Sequence, residues 1–283
     1  MKYAITLQTM TPIAHGDTVT GIDNQTNTRL FMRQAMLVNG IPARVPAISE
    51  NALRATLFRI PLADHLVDEL DLHPGDMPQS VVNLLYSGGQ MKAGAKAPTN
   101  DIELGHKIRL LYPSLDLLGG AVDGFILPRS RLRLAAWLVA REYADTLALV
   151  APHLEDEARS VSAFDLLEEE TRTRGTGTDS DGNQMLYTYE TLAAGAKIHI
   201  ELTFDNLTPE STRGCIGVAL ENWDRYIGGQ ARQGRGRVEI VRMDCTIVDL
   251  SEAYEDHIDA HYEAMREGLT NGTLGTEKVL CAA

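Results

Sequence analysis

The chain has 283 residues, 44% of them hydrophobic, with a formal net charge of -13. That length suits one large domain with insertions or two small ones, either with a real core. The acidic balance argues at first against a nucleic-acid partner, and the lack of any run of about 18 apolar residues excludes a membrane-spanning helix.

The N-terminus enters a strand at once. Tyr3, Ile5 and Leu7 alternate with Ala4, Thr6 and Gln8 over Lys2–Met10, and no signal-peptide apolar region precedes them. Residues 15–28 are polar and rich in Gly, Asn and Thr, and predict a loop. Residues 29–39 fit a second strand or a short helix. The segment from Ile41 to Pro46 must be extended, because residues before proline avoid the helical region. Ser49 is a good N-cap for a helix over Glu50–Arg59 with Leu53, Leu57 and Ile60 on one side. Residues 62–150 carry helical spacing at 63–70, 80–86 and 131–150, with a tight turn at Gly119-Gly120 and a strand over 125–133.

Residues 164–184 are too polar to form core and predict a projecting arm or hairpin. Met185–Leu192 and Ala196–Phe204 follow as a strand pair joined through Gly195. A helix over 213–226, a glycine–arginine loop, a strand over 238–248, an acidic helix over 251–269 and a frayed tail from Thr270 complete the chain. The three cysteines, Cys215, Cys245 and Cys281, show no metal-ligand spacing and fit a reducing cytoplasm. Mixed strands and helices without a glycine-opened βαβ unit predict an α+β sheet with helices on one face.

The charge is unevenly spread. From Asp244 onward nine acidic residues face two basic ones, and the basic residues of the whole chain are 20 Arg against 6 Lys. Arginine presents a planar fork to phosphate and stacks on bases; the same bias also arises from a GC-rich genome. The arginines gather in the loop Gly228-Gly229-Gln230-Ala231-Arg232-Gln233-Gly234-Arg235-Gly236-Arg237. Its glycines allow positive φ and close backbone approach to a ligand, successive N–H groups cradle anions, and Arg232, Arg235 and Arg237 add charge-assisted bonds. The competing reading is a tight helix-to-strand turn with solvated arginines. No Gly-Lys-Ser/Thr ending makes it a nucleotide P-loop. Arg129, Arg131 and Arg133 alternate, so a strand would turn all three to one side, toward something anionic or toward carboxylates.

Three stretches carry a family resemblance. Val45-Pro46-Ala47-Ile48-Ser49-Glu50-Asn51-Ala52-Leu53-Arg54, continuing to Arg59, is similar to a proline-then-helix start; Tyr189-Glu190-Thr191-Leu192-Ala193-Ala194-Gly195 is similar to a strand-and-turn signature; Ile227–Val238 is similar to a Gly-Gly-x-x-x-x-Gly-x-Gly-Arg signature and is the most specific. Together they resemble the RAMP superfamily of CRISPR-associated proteins, and more narrowly the backbone subunits of class 1 effector complexes, type IV-like or type III-like, with type IV the closer. Ala47 and Ala55 stand where the family has glycine, and residues 62–150 resemble no family stretch.

The resemblance implies a ferredoxin-like, RRM-like palm, β-α-β-β-α-β in plan, over 1–61, 117–160 and 185–250. Helical fingers would span about 62–116, a thumb about 161–186, and the acidic helix and tail 251–283. It implies a guide RNA (crRNA) held by Arg54, Arg59, Arg129, Arg131, Arg172, Arg174, Gly228, Gly229, Arg232, Gly234, Arg235, Gly236 and Arg237. Met185 or Leu186 would wedge beside a splayed base, unless they simply pack in a strand. Partners would be copies of the chain in a head-to-tail filament, other effector subunits, and a target nucleic acid paired with the guide; no membrane and no cofactor are expected. The rival is a ribonuclease of the same fold, using Asp23 on the target or His15 on the guide precursor, with His106 and Tyr112 as further candidates. A third reading is a mononucleotide-binding protein using the glycine loop.

Overall fold

The computed structural model describes residues 1–16, 28–90, 102–122, 125–127, 129–174, 185–244 and 250–276. β1 (Lys2–Thr9) takes up the alternation of the N-terminus, with Ile5 and Leu7 fully buried. After the two-residue β2 (Thr28–Arg29), β3 (Arg33–Val38) and β4 (Ile41–Pro46) form an antiparallel hairpin. The turn is Asn39-Gly40, with φ of 51° and 79°. Two positive φ values give the turn twist that matches paired strands, which decides residues 29–39 in favour of strand.

Ser49 caps α1 (Glu50–Arg54) as expected, its side chain accepting from the Ala52 N–H at 3.2 Å. The helix then passes through a π-helical turn, Ala55–Arg59, before α2 (Ile60–Glu69). The wider turn shifts the buried face. Leu53 and Leu57 stay inside, but Ile60, expected beside them, is 41% exposed, and Pro61 and Leu62 are buried instead.

α3 (Gln79–Ser87), β5 (Gly89–Gln90), α4 (Ile102–Leu111), α5 (Pro113–Leu118), β6 (Ala121–Val122) and β7 (Phe125–Ile126) follow, the three short strands pairing in that order. Of the strand expected over 125–133, Phe125 and Ile126 lie in β7 and Arg133 begins the next strand. The helix expected over 131–150 divides into β8 (Arg133–Leu138), a 3₁₀ turn and α6 (Ala144–Val150). The apolar run from Leu134 to Ala140 fits either period. Pairing decides it: Leu134 and Leu138 meet Leu202 and Ile198 on the neighbouring strand.

After α7 (Glu155–Ser160), β9 (Leu167–Arg174) and β10 (Met185–Leu192) pair antiparallel from Leu167–Leu192 out to Arg174–Met185. The polar arm is therefore a hairpin. β10 does not pair with β11 (Lys197–Thr203), contrary to the expectation; it stays with β9 and β2 while β11 enters the main sheet. Gly195, at φ 91°, and the Ile13–Leu192 bridge make this change of sheet.

The main sheet has the order β12-β1-β11-β8, with all neighbours antiparallel. α1 and α2 lie between β1 and β8 in the chain, and α8 (Glu210–Asn222) between β11 and β12 (Val238–Met243). The core is thus α+β and follows the β-α-β-β-α-β plan. Ile5, Leu7, Ile198, Ile200 and Leu202 belong to the single buried core that the helices share. The strand expected over 238–248 is described only to Met243.

α9 (Ser251–Thr270) is acidic outside and apolar inside: Tyr254, Ile258, Met265 and Leu269 are buried. Gly214 of α8 admits it, since a Cβ there would lie 2.3 Å from the Leu250 carbonyl. The tail expected to fray from Thr270 instead folds back through Thr276: Leu274 is 1% exposed and its N–H donates to Gly268 O. No described helix is long and apolar enough to cross a membrane.

Candidate functional site

The glycine–arginine loop lies at the end of the sheet where β1 finishes. Gly229 donates to Ala14 O at 2.8 Å, Gly236 to Pro12 O at 2.9 Å, and Ile227 to Gly236 O at 2.8 Å. A Cβ on Gly228 would lie 2.6 Å from Ala14 O, and one on Gly236 2.1 Å from Ile227 O, both at positive φ. The close approach that these glycines permit is therefore made to the chain's own backbone. Arg235 is 4% exposed and its guanidinium is ion-paired with Glu170 of β9. It ties the loop to the arm. Arg232 and Arg237 face outward, Arg237 with Glu239 at 3.5 Å.

Beside the loop is a cavity of about 220 Å³ lined by Ala14, His15, Gly16, Arg29, Tyr189, Glu190, Gly229 and Gln230. Glu190 is fixed there by Arg33 at 2.7 Å and by the Phe31 N–H at 2.7 Å. The Gln230 side-chain oxygen is buried without a hydrogen-bond partner among the described residues, on a residue held at φ 68°. His15 accepts the Ser49 N–H on Nε2 at 3.1 Å and stands edge-on to Phe31. That bond occupies the ring lone pair at the start of α1.

At the opposite end of the sheet, where β1 and β8 begin, a cavity of about 300 Å³ is lined by Arg109, Arg129, Ser130, Arg131, Arg133, Thr203, Phe204 and Asp205. The alternating arginines do converge on one space, although only Arg133 lies within β8. Asp116, 3% exposed, anchors the floor: it pairs with Arg109 and with Arg131 at 2.7 Å, and accepts the Thr212 hydroxyl at 2.9 Å. Arg131 also reaches Asp205 at 3.4 Å. Arg129 and Arg133 are exposed and have no ion pair among the described residues.

Arg54 and Arg59 turn into the protein. Arg54 donates to Ser130 Oγ at 3.0 Å and Leu132 O at 3.1 Å, holding the segment that leads into β8. Arg59, 8% exposed, donates to Leu84 O, Leu118 O and Gly119 O at 3.2, 3.3 and 3.2 Å. Burial, and then the Arg54 charge, lower the Arg59 pKa to about 10. Arg172 and Arg174 lie on β9, with Met185 opposite Arg174 and Leu186 opposite Thr173 on β10. Asp23 lies outside the described residues.

Of the residues named from the sequence, those of the glycine–arginine loop and those at 129–133 thus lie at the two ends of β1, a strand about 23 Å long at seven steps of about 3.3 Å each, whereas Arg59 lies inside the protein and Arg172, Arg174, Met185 and Leu186 lie on the β9–β10 hairpin. Three further features have no sequence signal. Arg109 and Asp116 come from helices that carry no motif, and they meet Arg131 only through the fold. On the sheet face opposite the helices, His199 is 1% exposed, hydrogen-bonded to Thr6 at 3.1 Å and stacked on Trp137; burial, then the charges of His153 and Arg242, lower its pKa to about 4. His65, Glu69 and Glu255 bring three possible metal-ligand atoms within 4.8 Å of one another. There His65 bonds Glu255 at 3.1 Å and links α2 to α9. A separate pair that the sequence does show by its i, i+4 spacing, His257 and His261, stacks at 4.2 Å, with His257 hydrogen-bonded to Leu111 O.

No family model matches the sequence, and no curated protein matches it. The fold does have a counterpart among solved structures. A chain of a structure described as a "Type IV-B CRISPR Complex" superposes with a TM-score of 0.56 at 17% identity, covering 87% of this chain and 91% of that one. At that identity the likeness is one of fold, and it extends over nearly the full length of both chains.

Proposed function

We propose that this chain is a crRNA-binding backbone subunit of a class 1 CRISPR effector ribonucleoprotein, type IV in kind, which stacks along the guide and presents it for pairing with a target. The observation that carries this reading is the fold likeness to a chain of a Type IV-B CRISPR complex over 87% of the present chain. The resemblance of Ile227–Val238 to the family's glycine–arginine signature points the same way, independently of any superposition. In this reading the main sheet is the palm, the helices of about 62–116 are the fingers, and the β9–β10 hairpin is the thumb with Met185 or Leu186 at a splayed base. The outward arginines, Arg232 and Arg237 at one end and Arg129 and Arg133 at the other, meet phosphates. Phosphate contacts of this kind position a strand without reading its sequence, as a subunit that must accept any guide requires. Arg235, Arg54 and Arg59 support those surfaces from inside. The occupied Nε2 of His15 weighs against a general base there, so holding the guide is favoured over cutting it.

The test is to express the protein in cells that carry the matching repeat array, purify it and sequence the RNA that accompanies it. Bound RNAs with uniform, repeat-derived ends, and multimers whose length follows the RNA, are expected. A folded, nucleic-acid-free protein that fails to bind added guide RNA overturns the proposal.

A further inference from the structure

We infer that the arginine-lined cavity at the β1/β8 starting end of the sheet is a discrete phosphate site, taking one phosphodiester of a single nucleic-acid strand. This deepens the reading above and rests on it for the identity of the strand; the phosphate chemistry stands on the cavity alone. Four guanidinium groups, Arg109, Arg129, Arg131 and Arg133, line a space of about 300 Å³ together with a single carboxylate, Asp205. Counting Asp116 beneath them, two negative charges face four positive ones, a surplus of two in a chain whose net charge is -13. Like charges gathered in a concave space are held at a cost, which a bound anion relieves.

The arrangement has a fixed part and a free part. Asp116 is 3% exposed and holds Arg109 and Arg131 from below, while the Thr212 hydroxyl at 2.9 Å orients the carboxylate. The side chain of Arg109 is 10% exposed and that of Arg131 24%, so neither head is free to sweep through solvent. Arg54 fixes the rim by bonding Ser130 and Leu132. Arg129 and Arg133 then stand over this floor as exposed forks. A pre-set floor with two exposed forks suits a tetrahedral oxyanion, which arginine grips bidentately. The acidic helix α9 of a second copy is too wide to enter the space and would reach only the exposed forks. A helix with its side chains is about 10–12 Å across, whereas a phosphate with its sugar fits a cavity of this volume. Its place at the other end of β1 from the glycine–arginine loop, along a β-strand about 23 Å long, makes this a second foothold on the nucleic-acid strand.

The experiment compares the wild-type protein with an R129A/R133A double variant. The probes are a single-stranded oligouridylate across a range of salt concentrations and, separately, inorganic phosphate. Both replaced side chains are exposed, so the variant should melt with the wild type. Each lost contact to a charged oxygen is worth roughly tenfold or more, and each lost phosphate contact flattens the log–log salt slope of a single strand by about 0.7. The expected result is RNA affinity reduced at least tenfold and a slope shallower by about 0.7, with inorganic phosphate competing at this site in the wild type only. If affinity and slope match the wild type, the phosphate site is overturned while guide binding stands. If neither protein binds RNA but inorganic phosphate binds in an Arg129- and Arg133-dependent way, the site takes free phosphate and the guide-binding reading fails. If the variant loses only salt-sensitive self-association, the cavity is a protein contact and the inference is overturned.

Discussion

Replacing Arg59 by alanine separates two roles for the same side chain. The family resemblance implies a contact with the guide, but the structure commits the guanidinium to three backbone carbonyls. Leu118 O and Gly119 O belong to the end of α5, where carbonyls lack helical partners, and Leu84 O to the last turn of α3. A hydrogen bond from a charged donor contributes about 1.5–3 kcal/mol, so three would sum to about 4.5–9 kcal/mol if independent. They are not independent, and truncation also removes a buried charge. The pKa of the group is lowered to about 10 by burial and by Arg54, so the fold itself disfavours that charge. A net loss of about 3–4 kcal/mol is expected, in the range seen when one partner of a buried charged contact is removed. Urea unfolding followed by circular dichroism measures it, with RNA affinity determined on the folded fraction. Arg59→Lys keeps the charge but not the fork, and should recover only part of the loss. An Arg59→Ala protein within about 1 kcal/mol of the wild type that nonetheless binds RNA tenfold more weakly would refute the structural role.

Three other outcomes follow from particular contacts. His199 is neutral in the fold with a pKa near 4 and takes its proton near 6.5 when unfolded. Stability is therefore full above pH 6.5 and is lost as pH falls toward 4, by about 2 kcal/mol between pH 7 and 5; urea titrations of His199→Gln should lack that increment, and an equal drop in both proteins would sink the idea. Gly234 and Gly236 both have positive φ, but only Gly236 meets backbone, since a Cβ there would stand 2.1 Å from Ile227 O. Gly236→Ala should then cost at least about 2 kcal/mol and Gly234→Ala only about 1 kcal/mol, and equal melting temperatures would contradict this account of the loop. Glu170→Ala strands the buried Arg235, so the β9–β10 hairpin should become the first site of limited proteolysis; an unchanged cleavage pattern would show that the pair does not hold the arm.

Local features of the fold are legible in the sequence and long-range choices are not. The alternation of β1 and the Ser49 cap are written in neighbouring residues, and both appear as expected. The helix over 251–269 is also visible, but not its docking, which depends on Gly214 of another helix. β8 reads as helix because an apolar run with Leu, Ala and Trp fits two periods, and only its partner β11 selects one. The π turn after Arg54 has no local marker, yet it exposes Ile60. The same limit applies to function. Arg129, Arg131 and Arg133 stand out by their alternation, but Asp116, which fixes Arg131, lies in a helix that resembles nothing. The glycine loop is special in conformation, as its composition implies, while the surface it approaches is the chain's own Ala14 and Ile227.

The two kinds of arginine decide how an acidic protein can serve a polyanion. Counting arginines in the sequence treats all 20 as equivalent. The fold sorts them. Arg33, Arg54, Arg59, Arg109, Arg131 and Arg235 are wholly or largely buried and bonded to carboxylates, carbonyls or a hydroxyl. At the two cavities and the loop, Arg29, Arg129, Arg133, Arg232 and Arg237 are exposed. Of these two sets, only the second can release counterions from a strand. With Arg129 and Arg133 sharing one phosphate, these five meet four phosphates, and at about 0.7 each they contribute a log–log salt slope near -2.8 for one subunit on single-stranded RNA. A strand gripped by every basic group would give a far steeper one. In the proposed reading the exposed forks stand at the two ends of β1, a strand about 23 Å long, and hold a nucleic-acid strand there. Such contacts would fix its path without reading its sequence.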